Sequence, residues 1–258
     1  MLRRLFVVAA VVAAGCSHAP AGGPAARNAL APTGTLRVAV NVGSPSSYVV
    51  TKDGREAGLS FEMAQLLGKR LGVPVQVIKY ERIAVALADM KAGKVDMTFT
   101  NATEERARDV DFSPTILHVE LGYLVGPHSQ IGNAEGVDKP GVRLGVSEGS
   151  SSHRMLPQHV KAATLVPAPS LAKAVEMLRS GSVDVYTTNM AILYEMSDQV
   201  PGSRVLPRGW ALENLAIAYP KGRESGKAEM AAFANELRGS AALKAMISRA
   251  NLRGVAGN

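Results

Sequence analysis

Apolar and polar positions along this chain follow two alternating rhythms. Short, mainly apolar stretches at Leu36 to Val40, Val95 to Phe99, Val142 to Val146 and Val183 to Tyr186 read as buried strands. Between them the apolar positions take helical spacing. Phe61, Ala64, Leu67 and Leu71 share one face of a helix that Ser60 can cap and that Gly72 and Pro74 end. Val73, Val75 and Val77 then alternate as in a strand. Ile83 to Lys91 predicts a second helix, and Thr103 can cap a third, with Glu104 and Glu105 at its positive end. Ser170 caps Leu171 to Arg179, and Asn189 caps Met190 to Met196. Two further helical stretches lie around Gly239 between Ala228 and Arg249. Strands alternating with helices predict an α/β class with mostly parallel sheets. In such sheets ligands sit beyond the carboxyl ends of the strands.

The pattern occurs twice. LRVAVNVGSPS from Leu36 and VRLGVSEGSSS from Val142 share the frame apolar-Arg-apolar-small-Val-x-x-Gly-Ser-x-Ser. GKVDMTFTN from Gly93 and GSVDVYTTN from Gly181 share Gly-x-Val-Asp-x-x-x-Thr-Asn. Two matches in the same order predict two similar halves. A strand that ends in a Gly-Ser loop and opens a helix presents free backbone N–H groups suited to an anion. Asp96 and Asp184 recur at strand starts, opposite the binding end, and read as structural.

The N-terminus begins with Arg3 and Arg4, continues with the apolar run Phe6 to Ala14 and reaches Gly15. The run is too short to span a bilayer and reads as an export signal over residues 1–15. Cys16, the single cysteine, follows directly. This order resembles the bacterial lipobox, which implies lipid attachment at Cys16 and a membrane-anchored, periplasmic protein; a plain cleaved signal also fits the residues. Residues 16–33, rich in Ala, Gly and Pro, read as a flexible tether.

The formal charge of +7 raises nucleic acid as a partner. Two of those charges lie in the signal, no basic run stands out, and a single Trp gives no stacking platform. No nucleic-acid partner is expected. The five His show no metal-ligand spacing, and neither G-x-S-x-G nor H-E-x-x-H occurs. No metal, cofactor or catalytic residue is expected.

Three stretches carry a family resemblance: GLSFEMAQLLGKRLG (Gly58 to Gly72), AGKVDMTFTNATEERARDVDFS (Ala92 to Ser113) and VSEGSS (Val146 to Ser151). They resemble the amino-acid-type extracellular solute-binding proteins of bacterial ABC transporters, family 3, over roughly Leu36 to the mid-240s. The resemblance implies a two-lobed, type II periplasmic-binding-protein-like fold. The first lobe would comprise 34–125 plus 217–258 and the second 126–216. Strands would cross near Gly122 to Val125 and Ile217 to Tyr219, and the lobes would close over the ligand by a hinge. It also implies a monomer that delivers a small solute to a transporter permease.

Site residues follow from the same resemblance. Arg106, in Thr-x-Glu-Arg, would grip a ligand carboxylate through two parallel charge-assisted bonds; spacing alone fits a surface arginine paired with an acid such as Asp109. Gly149, Ser150 and Ser151 would hold the same anion from the second lobe, and Thr100 and Asn101 would line the first. Tyr48 would pack on the ligand, and Arg82 would add a second cation. Asn189 stands where the family's amino-acid binders usually carry an Asp that pairs with the ligand's α-ammonium. Asn brings no charge, and a buried ammonium without a counter-ion is costly. The expected ligand is therefore a small organic anion without that ammonium. Two alternatives remain: a dehydratase on the same fold acting on a cyclic carboxylic acid through Glu148, and a sensor or accessory binding module.

Overall fold

The computed structural model describes residues 23–256. The expected signal over 1–15 and the lipidation residue Cys16 lie outside the described residues. In chain order the first half comprises α1 (Pro24–Leu30), β1 (Leu36–Asn41), β2 (Val49–Val50), β3 (Glu56–Ala57), α2 (Leu59–Leu71), β4 (Val75–Tyr80), α3 (Ile83–Lys91), β5 (Thr98–Asn101), β6 (Val110–Phe112) and β7 (Leu117–Val125). The second half comprises β8 (Arg143–Ser147), α4 (Ser151–His159), β9 (Thr164–Ala168), α5 (Leu171–Ser180), β10 (Val185–Asn189), α6 (Met190–Gln199) and β11 (Arg204–Val205). The chain returns through β12 (Ala211–Pro220) and ends in α7 (Glu224–Leu237) and α8 (Ala241–Arg249).

The two predicted repeats fold alike. β1 pairs in parallel with β4, and β8 pairs in parallel with β9 and β10. Asp96 accepts from the backbone N–H, Nε and Nη2 of Arg37, and Asp184 accepts from the same three groups of Arg143. Both acids are structural, as expected.

One sheet path, β5-β12-β7-β10-β8-β9, runs through both halves. β7 pairs with β12 over Leu117–Leu121 and Ala211–Leu215. Past Leu121, β7 pairs with β10; past Leu215, β12 pairs with β5 and then β6. The passage between halves is therefore this mutual pairing. The expected crossings at Gly122 to Val125 and Ile217 to Tyr219 lie further along the same strands, where each has already joined its own half. Burial is nearly continuous through both stretches, so hydrophobicity does not mark where a strand changes partner.

Two local expectations change. Ser60 is not the cap of α2: Gly58 holds that position, and buried Ser60 donates to Ala39 O and accepts from Phe99 N–H. Thr103 accepts from Arg106 N–H as a cap would, but only a single 3-10 turn, Arg106–Arg108, follows. The tether expected over 16–33 is partly helix. Pro24 sits in the first turn of α1, where its fixed φ fits. Leu30 is buried against Gly226 of α7, where a Cβ would stand 2.6 Å from the leucine side chain. Arg223 donates to the carbonyls of Ala29 and Leu30, capping the C-terminus of α1. Among the described residues no helix is long and apolar enough to cross a membrane.

Candidate functional site

The sheet order maps the site. Strands β5, β12 and β10 bring Thr100, Asn101, Glu213, Thr188 and Asn189 to the middle of a cleft between the halves. Strands β1, β4, β8 and β9 bring Asn41, Arg82, Ser147 and Ala168 to its outer walls. The cavity holds about 70 Å³, several times the space one water requires.

Arg106 is only 6% exposed and lines this cleft. Its Nη1 donates to Thr100 Oγ1 and to Asn101 O, each at 3.0 Å. Those bonds fix the guanidinium plane and leave its other N–H groups to a ligand. Thr100 and Asn101 thus line the cleft and position Arg106; the Asn101 side chain accepts from Asn214 N–H on β12 at 3.0 Å. Burial pushes the Arg106 pKa down to about 10. The negative charge of Glu213 opposes that shift, Arg154 adds to it and Glu105 counters it. Arg106 stays cationic at neutral pH.

From the second half, Ser150 caps α4 by accepting from His153 N–H at 3.1 Å. Ser151 is buried at the first turn and donates to Glu213 Oε1 at 2.7 Å. Gly149 departs from expectation. Its N–H donates to His153 Nδ1 at 3.1 Å, and it is not among the cleft-lining residues. Its φ of +70° suits glycine, and a Cβ there would stand 2.8 Å from that of Ala84. Gly149 lets the loop approach α3.

Tyr48 also departs. It is 2% exposed in the core of the first half, edge-on to Phe61 at 5.9 Å, and donates to Glu56. It faces the core and does not line the cleft. Arg82 does line it, at the mouth, and its Nη1 donates to Glu148 Oε2 across the halves at 2.7 Å. A second ion pair, Arg154 to Glu105 at 2.5 Å, also joins the halves. The cleft is therefore drawn together at its mouth, and Glu148 is engaged as an ion-pair partner.

Glu213 was not among the expected site residues. It is 6% exposed on β12 and takes Ser151 on one oxygen and Asn189 Nδ2, at 3.0 Å, on the other. Asn189 meanwhile accepts from Ile192 N–H, capping α6 as expected. The sequence carried one signal for Glu213: on β12 the acid occupies the buried phase, while its neighbour Leu212 is 46% exposed. A carboxylate in the inward phase of a strand needs partners to hold it there. Glu213 restores a carboxylate beside Asn189 and removes the reason for expecting a ligand without an ammonium. Among the described residues no cluster of three or more His, Cys, Asp or Glu could hold a metal.

The chain is 30% identical over 136 residues to the glutamine-binding protein GlnH of an ABC transporter from Bacillus subtilis, covering 53% of this chain and 50% of that protein. The matched region thus spans about half the length of that relative. It is 25% identical over 223 residues to the L-cystine-binding protein TcyJ of Escherichia coli, covering 84% of this chain and 83% of TcyJ. The amino acid ABC transporter substrate-binding protein AbpA of Streptococcus pneumoniae, solved with L-arginine, superposes with a TM-score of 0.77 at 21% identity, covering 86% of this chain and 97% of AbpA. That likeness establishes the two-lobed α/β fold. The family model of bacterial extracellular solute-binding proteins, family 3, matches residues 36–247, and the chain belongs to that family.

Proposed function

We propose that this protein is the solute-capturing component of an ABC importer and that it closes over a small amino-acid-type solute held by its carboxylate. The observation that carries this reading is Arg106: a buried, cationic fork, fixed by Thr100 and Asn101 and facing a small cavity. A guanidinium held in plane offers a carboxylate two parallel bonds without first ordering the side chain. Ser151 and the start of α4 approach the same cavity from the other half, so binding would draw the halves together.

Delivery to a membrane permease follows from this role. The N-terminal order of Arg3, Arg4, the apolar run and Cys16 supports export and lipid attachment at Cys16, which would hold the protein beside its transporter. The names of the relatives, which concern glutamine, cystine and arginine, support an amino-acid ligand over a simple anion.

A thermal-shift screen of L-amino acids tests the proposal. An amino acid at a hundred times its dissociation constant should stabilise the protein by about 2.7 kcal/mol. The shift should vanish in Arg106→Ala. An equal shift in that variant would remove Arg106 from the site and the reading with it.

A further inference from the structure

The cleft holds a second buried charge that the carboxylate grip does not use. Glu213 receives hydrogen bonds from Ser151 and Asn189, and both donors are neutral. They satisfy its oxygens but do not cancel its charge. A buried carboxylate without a cationic partner is costly. Arg106 is the nearest buried opposite charge, and it senses Glu213 electrostatically. The two nevertheless make no direct ion pair among the described residues: Arg106 is anchored on β5 and Glu213 on β12. The fold keeps a positive and a negative pole apart, each on its own scaffold.

The remaining cleft charges sharpen the point. Besides these poles the lining residues include Arg82, Glu148 and Glu81. Arg82 and Glu148 neutralise each other at the mouth, and Glu81 is exposed. A ligand carrying only a carboxylate would satisfy Arg106 and bring a second negative charge beside Glu213. A ligand with an ammonium next to its carboxylate would satisfy both poles.

We propose that Glu213 is a specificity-determining residue: its carboxylate receives the α-ammonium of the ligand, in place of a carboxylate missing at position 189. This rests on the reading that Arg106 holds the ligand carboxylate. The site then selects α-amino acids and rejects the 2-hydroxy acids that differ only at that nitrogen. Asn189 is retained as a neutral donor that aims Glu213, because an acid at 189 would stand about 3 Å from the carboxylate already there.

The test is calorimetric titration of the full protein with each proteinogenic L-amino acid and with L-cystine. The tightest of these is then compared with the 2-hydroxy acid bearing the same side chain. A site built to hydrogen-bond a polar group rejects the analogue lacking it by large factors, so the wild type should prefer the amino acid by at least about 100-fold. In Glu213→Gln most of that preference should disappear. In the double variant E213Q/N189D, which moves the carboxylate back by one side chain, it should return in part. Equal binding of the two acids by the wild type overturns the proposal without any variant. So does undiminished preference in a Glu213→Gln protein with native circular dichroism, or the absence of binding by every amino acid tried. The first two results are separable from failure of the carboxylate reading, which shows instead as unchanged binding in Arg106→Ala; the third fails both readings together.

Discussion

Arg37 clasps Asp96 at three points: its backbone N–H reaches Oδ2 at 2.9 Å, Nε reaches Oδ2 at 2.8 Å and Nη2 reaches Oδ1 at 2.8 Å. The clasp ties the start of β1 to the turn that enters β5, and Arg223 adds a fourth bond at 2.8 Å. The Asp96 side chain is fully buried. Removing it strands two guanidiniums that are themselves largely buried. Asp96→Ala should therefore cost about 3–5 kcal/mol, read from urea unfolding. Asp184→Ala breaks the same motif where both partners are more exposed, and should cost measurably less. Equal losses would show that the two clasps do not differ as their burial implies.

The same carboxylate sets an acid limit. Burial alone would raise the Asp96 pKa, but the bonds from Arg37 and Arg223 outweigh it and hold the group below its ordinary value of 3.8. A carboxylate depressed in the folded state stabilises above its unfolded pKa, and that contribution is lost as pH falls through the folded value. Stability of the wild type should therefore fall below pH 3.8, with a shallower slope in Asp96→Asn. Identical slopes would assign acid sensitivity to other groups.

Arg106 offers a test of geometry against charge. Arg106→Lys keeps a cation in the cleft but replaces a planar fork with a point charge. Its bonds to Thr100 Oγ1 and Asn101 O compete with the ligand for only three N–H donors. Amino-acid affinity should fall by roughly 10- to 100-fold, between wild type and Arg106→Ala, as expected for a lost charge-assisted bond. Wild-type affinity in the lysine variant would mean that the fork is not used.

Much of this was readable before the structure. The repeated Arg-x-x-Val frames, the Gly-x-Val-Asp turns and the caps at Ser170 and Asn189 are local, so their residues meet within a few positions. Arg106 was legible only through the Thr-x-Glu-Arg resemblance, since spacing alone fits a surface arginine; its bonds to Thr100 and Asn101 on the preceding strand are what bury it in the cleft. Glu213 was not, since its contacts with Ser151 and Asn189 come from elements 62 and 24 residues earlier. Tyr48 and Gly149 sit at the right places along the chain but point elsewhere. Tyr48 is drawn into the core by Phe61, and the Gly149 N–H is taken by His153. The helix α1 escaped because its seven residues bury only Ala26 and Leu30, too few to show a period.

The mouth of the cleft gives an ionic-strength prediction. Arg82–Glu148 and Arg154–Glu105 both join the halves, with side chains between 38% and 52% exposed. Such pairs are weak and screened by salt. They should shift the balance between open and closed forms only modestly. The variant E105Q/E148Q should lower amino-acid affinity by a few-fold at low salt, and the difference from wild type should shrink towards none near 1 M salt. Small-angle scattering should show a larger radius for the variant at low salt. A salt-independent difference would mean that packing, not charge, closes the mouth.

Gly254 provides a mechanical test of how the C-terminal end bears on the site. After α8 the chain runs onto the crossing strand, where Val255 bridges to Val119 and Ala256 N–H donates to His118 O. Gly254 has a φ of +73°, and a Cβ there would lie 2.2 Å from the Cβ of Met190, the first residue of α6. Gly222 has a similar φ of +79° but open space around it. An alanine at either position carries the left-handed strain of about 1–2 kcal/mol. Only at 254 must it also displace the start of α6, and with it Asn189, which donates to Glu213. Gly222→Ala should therefore lower the melting temperature and leave amino-acid affinity unchanged. Gly254→Ala should lower both, and a Gly254→Ala protein that binds as wild type would show that the tail moves aside without disturbing Asn189.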